Sequence, residues 1–238
     1  MNNWVDITTW KVYHIQVHPQ AYIQNKRFLD VNMNRIWKHL DQVESYEVQR
    51  FEELLPILDI LDVAIDIHST SLQTWSLMWI GHSKDSDILS DILVTDRLLI
   101  DPHFDQWWSL MSFMTQQWKL AYGIECGSHT QADAYINALQ NIYSLLLYTW
   151  SITQIPTLYK TKKKEKSVYS FFEEVFPLSE QFVYTKEYQN FDPISPGETY
   201  ATDGDYIYTN ETDNTIYIGI IWKKPRVGDG VCFLFQKT

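Results

Sequence analysis

The feature that most limits what this chain can become is the run Val63-Ala64-Ile65-Asp66-Ile67-His68-Ser69-Thr70-Ser71. An apolar, β-branched stretch that stops in Asp-x-His and then in small polar residues describes a buried strand. Such a strand delivers an imidazole to the edge of a sheet, where open α/β sheets commonly hold ligands and metals. Histidine is the commonest metal ligand and the usual acid or base near neutral pH. Taken alone, a single His after a strand is more often a hydrogen-bonded structural residue, so the meaning of His68 depends on the other segments.

Those segments alternate. Trp10 to Val17, with apolar residues alternating from Val12 onward, reads as a strand closed by His18-Pro19. A short helix is expected over 35–40. A longer one runs from Tyr46 to about Leu61, with Val48, Phe51, Leu54, Leu55 and Leu58 at helical spacing and Glu47 in its first turn, where a negative charge suits the helix dipole. Pro56 kinks or breaks it. Further strands are expected at 76–80, 97–100 and 122–126, and helices at 104–118 and 131–148. This alternation predicts an α/β fold, a mixed sheet flanked by helices. The Trp-rich stretches at 75–79 and 107–118 read as core or as pocket.

The character then changes. Lys160 to Lys166 is a charge run that reads as a solvated loop. From Phe182 onward the segments are short and β-rich, broken by Pro196-Gly197, Asp203-Gly204 and Gly228-Asp229-Gly230. Strands near 206–209, 215–222 and 231–236 predict a small C-terminal all-β domain. The expected organisation is an α/β domain over 1–155, a linker over 156–180 and a β domain over 181–238.

Composition narrows the partners. A net charge of −11 argues for no nucleic acid and no membrane as partner, because both need basic surfaces. An anionic small molecule stays open, since a few local arginines override the global field. The two cysteines, Cys126 and Cys232, offer neither a zinc-finger spacing nor a disulfide framework, so a reduced, cytoplasmic protein is the simplest reading. No signal peptide and no membrane span is visible. A homo-oligomer is allowed.

Two more constellations carry chemistry. Arg27-Phe28-Leu29-Asp30-Val31-Asn32-Met33-Asn34-Arg35 places two arginines and an asparagine on one segment. Arginine forks bind carboxylates bidentately and an adjacent Asn adds a hydrogen bond. The bland alternative is an Asn-rich turn with surface arginines. In Gly123-Ile124-Glu125-Cys126-Gly127-Ser128-His129, a carboxylate ends an apolar strand, where partial desolvation raises its pKa toward acid–base work. The alternative is a strand-end Glu satisfied by a structural donor. Glu125 and His129 make a poor metal pair, because a strand followed by Gly does not present positions i and i+4 on one face.

In their order, these segments make the chain resemble the succinylglutamate desuccinylase/aspartoacylase family, zinc hydrolases with a carboxypeptidase-like fold. His18-Pro19-Gln20-Ala21 is similar to the family's Asn-Pro-x-Ala turn, and Arg27 through Arg35 to its Arg-Tyr-x-x-x-Asp-Leu-Asn-Arg segment. Asp66-Ile67-His68-Ser69-Thr70 resembles Asp-Leu-His-[Asn/Ser]-Thr, and Glu125-Cys126-Gly127 resembles Glu-x-Gly. The tail from Asn190 through Gly197-Glu198 to Gly228-Asp229 is similar to the family's C-terminal β domain.

The resemblance implies roles. His68 is a zinc ligand, and Glu125 is the general base for a zinc-bound water. Arg27 stabilises the oxyanion at the scissile carbonyl. Asn34 and Arg35 grip the carboxylate of an N-acyl amino acid or similar small acidic substrate. Asp66 orients the site from behind His68.

The departures are equally informative. The family's Gly-x-His-Gly-[Asp/Asn]-Glu segment, with its first two zinc ligands, has no counterpart before His18. The chain is therefore expected to begin near the family's second strand, and His68 alone gives no tight zinc site. His18 and Asn32 stand where the family has Asn and Asp. Three explanations are open: a truncated product of an active enzyme, a degenerate homologue that binds an anionic small molecule without catalysis, or a rebuilt site using His14 or His18. The implied activity is zinc-dependent deacylation of an N-acyl amino acid.

Overall fold

The computed structural model describes residues 11–35, 44–74, 76–80, 91–103, 109–160, 165–222, 227 and 230–238. They fall into two compact units. The first comprises Met1–Asp66, His103–Gly123 and Leu146–Gln154, and the second Ile67–Pro102, Ile124–Leu145 and Ile155–Thr238. No helix among the described residues is long and apolar enough to cross a membrane.

The first unit is helical at its centre. It holds α1 (Pro19–Ile23), a 3-10 turn at Met33–Arg35, α2 (Tyr46–Leu58) and α3 (Leu110–Gln116). In α2 the residues Val48, Phe51, Leu54 and Leu58 form one buried stripe, as their spacing predicts. Ser45 caps the helix by accepting the Val48 N–H at 3.2 Å. Pro56 sits inside its last turn, and the helix ends two residues later. Lys119 then closes it: its ammonium donates to the carbonyls of Leu58 and Asp59 at 2.6 and 2.8 Å. Phe51 packs edge-on against Phe113, with ring centroids 5.3 Å apart, and shares a core with Met33, Leu110, Met114 and Ala121.

Residues 11–17 depart from expectation. They form no strand, and Val12 is 48% exposed. The Arg50 guanidinium takes the carbonyls of Gln16 and Val17, each at 3.1 Å. Ile15 and Val17 pack on the α2 core. The alternation is real, but it serves packing on a helix rather than a sheet.

The second unit is a mixed α/β structure. Its strands are β2 (Leu77–Ile80), β3 (Arg97–Ile100), β5 (Ser167–Val175), β6 (Phe182–Tyr184), β7 (Asp192–Ile194), β8 (Thr199–Asp203), β9 (Tyr206–Thr209), β10 (Ile216–Gly219) and β11 (Cys232–Lys237). Two more, β1 (Val63–Thr70) and β4 (Leu120–Ser128), have their first residues in the first unit. Among the described residues the large sheet runs β1-β4-β2-β3-β5-β11-β10-β7, and β6-β8-β9 form a small second sheet. Strands β2, β3 and β5 are parallel, and the β5-β11-β10-β7 pairings are antiparallel.

Two placements explain themselves physically. The run Cys232-Phe233-Leu234-Phe235 is buried throughout, so β11 needs partners on both edges. It finds them in β5 and β10, which draws the C-terminal strands into the large sheet and leaves β6, β8 and β9 as the small one. The expected 156–180 linker contains β5, which parallel β3 and antiparallel β11 flank. Among the described residues β1 stands last in the sheet order at the other end; Val63 to Asp66 are half-buried and Ile67 is exposed, where a buried strand was expected.

Phe51→Ala empties the centre of the first unit's core. It is expected to lower the free energy of urea unfolding by about 3–5 kcal/mol. A loss under about 1 kcal/mol, the ordinary scale of a surface change, would contradict this packing.

Candidate functional site

The sequence candidates lie on two supports. Arg27, Asn34 and Arg35 belong to the first unit, and His68 and Glu125 to the second.

In the first unit, the segment carrying the arginines is tied at several points. His18 caps α1: its Nδ1 accepts the Ala21 N–H at 3.2 Å. The far end of α1 closes as a Schellman motif, with Asn25 at φ 51°, Asn25 N–H on Tyr22 O at 3.1 Å and Lys26 N–H on Ala21 O at 2.8 Å. Arg27 follows directly and is exposed. Farther on, Asn32 makes an Asx turn by accepting the Asn34 N–H at 3.1 Å through its side chain. Met33 is buried in the core, leaving Asn34 and Arg35 half-buried on either side of the turn's outward face. Arg35 Nη1 donates to Asn34 O at 3.1 Å.

Between these ties lies Glu47. Its side chain is 0% exposed. Its carboxylate accepts from Leu29 N–H at 2.7 Å, Asp30 N–H at 3.2 and 3.3 Å, Val31 N–H at 3.4 Å and His18 Nε2 at 2.9 Å. Because His18 Nδ1 is an acceptor, its proton sits on Nε2, and the neutral ring donates to Glu47. His18 also stacks on Tyr46 with ring centroids 5.2 Å apart. Asp30 reciprocates by accepting Tyr46 N–H at 3.0 Å. Burial by itself raises the Glu47 carboxyl pKa. The hydrogen bonds from His18, Leu29 and Asp30 outweigh burial and hold it below the usual glutamate value.

In the second unit, β1 and β4 are hydrogen-bonded neighbours, so His68 and Glu125 stand on adjacent strands. His68 is half-buried. Ser69, the next residue, meets His129 with Oγ 2.7 Å from Nδ1. Thr70 is buried, donates to Leu72 O at 2.7 Å and Gly127 O at 3.3 Å, and accepts His129 N–H on its carbonyl at 3.0 Å. These bonds fasten the end of β1 to the end of β4.

Glu125 is half-buried, with Oε2 shielded from solvent, so the partial desolvation expected of it is present. Its strand is anchored by a helix, α4 (Ala132–Tyr148). Asn137 donates to Cys126 O at 2.8 Å, and the buried Asn141 holds both backbone groups of Val94 at 2.8 and 3.3 Å. Gly127 adopts φ +135°, and a Cβ there would stand 3.3 Å from Ala134 Cβ, so glycine lets β4 approach α4. Burial first, and the Glu125 charge second, push the Cys126 thiol up to about 12. That keeps it protonated and unreactive.

Zinc is the cofactor the resemblance implies, and His68 is the one ligand that it names in this chain. Among the described residues no group of three or more His, Cys, Asp or Glu side chains can hold a metal ion. His14 is exposed, and both ring nitrogens of His18 are engaged, one by Glu47 and one by the α1 cap. A rebuilt site using His18 is therefore corrected by its hydrogen bonds. Sequence reasoning missed three groups. Glu47 passed as a helix-dipole partner, although a carboxylate between Tyr46 and the buried Val48 was a signal. The Ser69–His129 pair and the Asn137–Asn141 anchors join positions too far apart in the chain to be seen.

Residues 3–99 match the family described as the succinylglutamate desuccinylase/aspartoacylase catalytic domain. The matched stretch contains Arg27, Asn34, Arg35 and His68, so the resemblance read from these motifs holds. No curated protein sequence matches the chain. Among solved structures, succinylglutamate desuccinylase from Vibrio parahaemolyticus superposes with a TM-score of 0.72 at 15% identity, over 94% of this chain and 70% of that one. The product-bound ectoine utilization protein from Ruegeria pomeroyi gives 0.70 at 12% identity, over 93% and 73%. Murine aminoacylase 3 gives 0.67 at 18% identity, over 93% and 81%. At such identities these likenesses show the fold.

Glu47 sets a testable acid limb. A carboxylate whose folded pKa is lowered contributes stability that is fully present above its unfolded value, about 4.3. That stability is lost as pH falls through the folded value. Wild-type urea midpoints should therefore fall more steeply below about pH 4.3 than those of Glu47→Gln. The variant itself should be about 1–3 kcal/mol less stable at neutral pH, because an amide cannot accept from all four donors. Parallel pH profiles would contradict the assignment.

Proposed function

We propose that this chain is a deacylase that hydrolyses the amide of an N-acyl amino acid or a similar small acidic amide, with the zinc dependence its family resemblance implies. The observation that supports it most is the placement of His68 and Glu125 on neighbouring strands β1 and β4, in motifs that resemble that family's. Zinc, when bound, supplies a Lewis acid, and His68 is its expected ligand. The described donors leave that site incomplete, so the steps follow this chain's own groups.

Glu125 takes a proton from the water that attacks the amide carbonyl and returns it to the departing amine. Its Oε2 is shielded from bulk solvent. The Arg27 guanidinium offsets the negative charge that develops on the carbonyl oxygen. The Arg35 fork and the Asn34 amide receive the substrate carboxylate.

A second reading has its own support. The hydrogen bonds described above for the arginine-bearing segment come from residues of the first unit. The chain could thus bind an anionic small molecule without turning it over.

The deciding experiment is amino-group release from N-succinylglutamate and N-acetylaspartate by purified protein supplied with zinc. Glu125→Gln is expected to lower kcat by about 10²–10⁴-fold while leaving zinc content unchanged. Binding of these acids without turnover by the wild type would favour the second reading. Turnover that persists after zinc is removed would overturn the zinc assignment.

A further inference from the structure

The Glu47 carboxylate lies on no surface that meets a ligand, yet it touches both ends of what frames Arg27. Through His18 it reaches the cap of α1. Through Leu29, Asp30 and Val31 it gathers three successive backbone N–H groups. Consecutive N–H groups turned toward one anion form a concave nest, and nests of this kind are ordinarily filled by a ligand. Here the anion is built in. It comes from the first turn of α2, whose own stripe is buried in the core, so the nest is tied to a helix packed into that core.

The consequence lies on either side of the nest. Arg27 is confined to the short span between the Schellman end of α1 and the Glu47 contacts. Asn34 and Arg35 emerge just after them, past the buried Met33. Both arginines are long, rotamer-rich side chains, and ordering such a chain on binding costs affinity unless its backbone is already fixed. A buried charge that fixes 29–31 lowers that cost for every anion-binding group on the segment.

We propose that Glu47 is a positioning residue for anionic substrate, acting through the backbone of Leu29, Asp30 and Val31 to hold Arg27, Asn34 and Arg35 in binding geometry. This rests on the reading of those three residues as the carboxylate-binding group. His18 is the second member of the device: it neutralises no charge, but its Nε2 proton completes the set of donors. Asp30, which accepts Tyr46 N–H, is the outer tie of the same turn.

The test pairs Glu47→Gln with a control matched in stability, Val48→Ala, whose truncated side chain lies in the core beside it. N-succinylglutamate binding is titrated calorimetrically, and amide exchange is followed at Leu29, Asp30 and Val31 against Phe51. Glu47→Gln is expected to weaken binding at least about tenfold and to speed exchange at 29–31 at least about tenfold more than at Phe51, the loss of about one charge-assisted hydrogen bond. Val48→Ala should bind within about threefold of wild type and speed all four amides alike, as a merely structural loss does. Asp30→Ala, an exposed and mild change, should show the same exchange pattern in smaller measure if Glu47→Gln fails to fold.

Wild-type affinity in a folded Glu47→Gln, or unchanged exchange at 29–31, would overturn the proposal. If the wild type binds no N-succinylglutamate, the carboxylate-binding reading fails. The exchange arm then still decides whether Glu47 holds the segment.

Discussion

Everything in the first unit turns on a carboxylate buried without solvent. Moving an ionised group into a protein interior is costly unless hydrogen bonds replace its lost water. Glu47 finds those bonds in the neutral His18 ring and in three backbone amides. The donors come from two demands of the chain: the His-Pro turn must cap α1, and the 29–31 strip must satisfy its N–H groups. One acceptor at the start of α2 answers both. Removing it would leave several buried donors unpaired at once, which is why its effect should exceed that of any single bond. The Asn-rich turn that follows residues 29–31, with Met33 turned into the core, then carries Asn34 and Arg35.

The second unit solves a parallel problem with different chemistry. Its candidate base, Glu125, rides a strand and not a loop, and functional groups on strands are placed more tightly than those on loops. The strand is fastened from one side by Thr70 and from the other by Asn137, with Gly127 allowing α4 to come close. Asn141, buried mid-helix, spends its amide on Val94 and so ties α4 to the chain entering β3. Polar side chains in a helix interior are tolerated when they are satisfied in this way.

The sequence was readable wherever a local period carried the signal. The α2 stripe, β3 and the α4 span stand where spacing puts them, because each depends on neighbours within a few residues. Elements whose identity depends on a distant partner were harder. Residues 11–17 alternate like a strand but pack on α2, since Arg50, far along the chain, takes their carbonyls. β11, expected in the small C-terminal β domain, pairs in the large sheet between β5 and β10. The order and spacing of the segments that carry Arg27, Asn34, Arg35, His68 and Glu125 were legible in the sequence. The group that braces the first three was not, since a Glu at a helix start reads as a dipole partner whether or not it is buried.

A shared fold at 12–18% identity fixes the scaffold and leaves chemistry to individual residues. On that scaffold Glu125 stands on β4 and the arginines on a braced segment of the first unit; the chemistry proposed for the chain is amide hydrolysis of an acidic substrate. Hydrolysis by water leaves an isotopic mark. N-succinylglutamate incubated with the zinc-supplied protein in heavy-oxygen water should yield free glutamate and succinate, the succinate carrying one heavy oxygen at the carboxylate made in the reaction. No succinate release, or release without the heavy atom, would contradict the account.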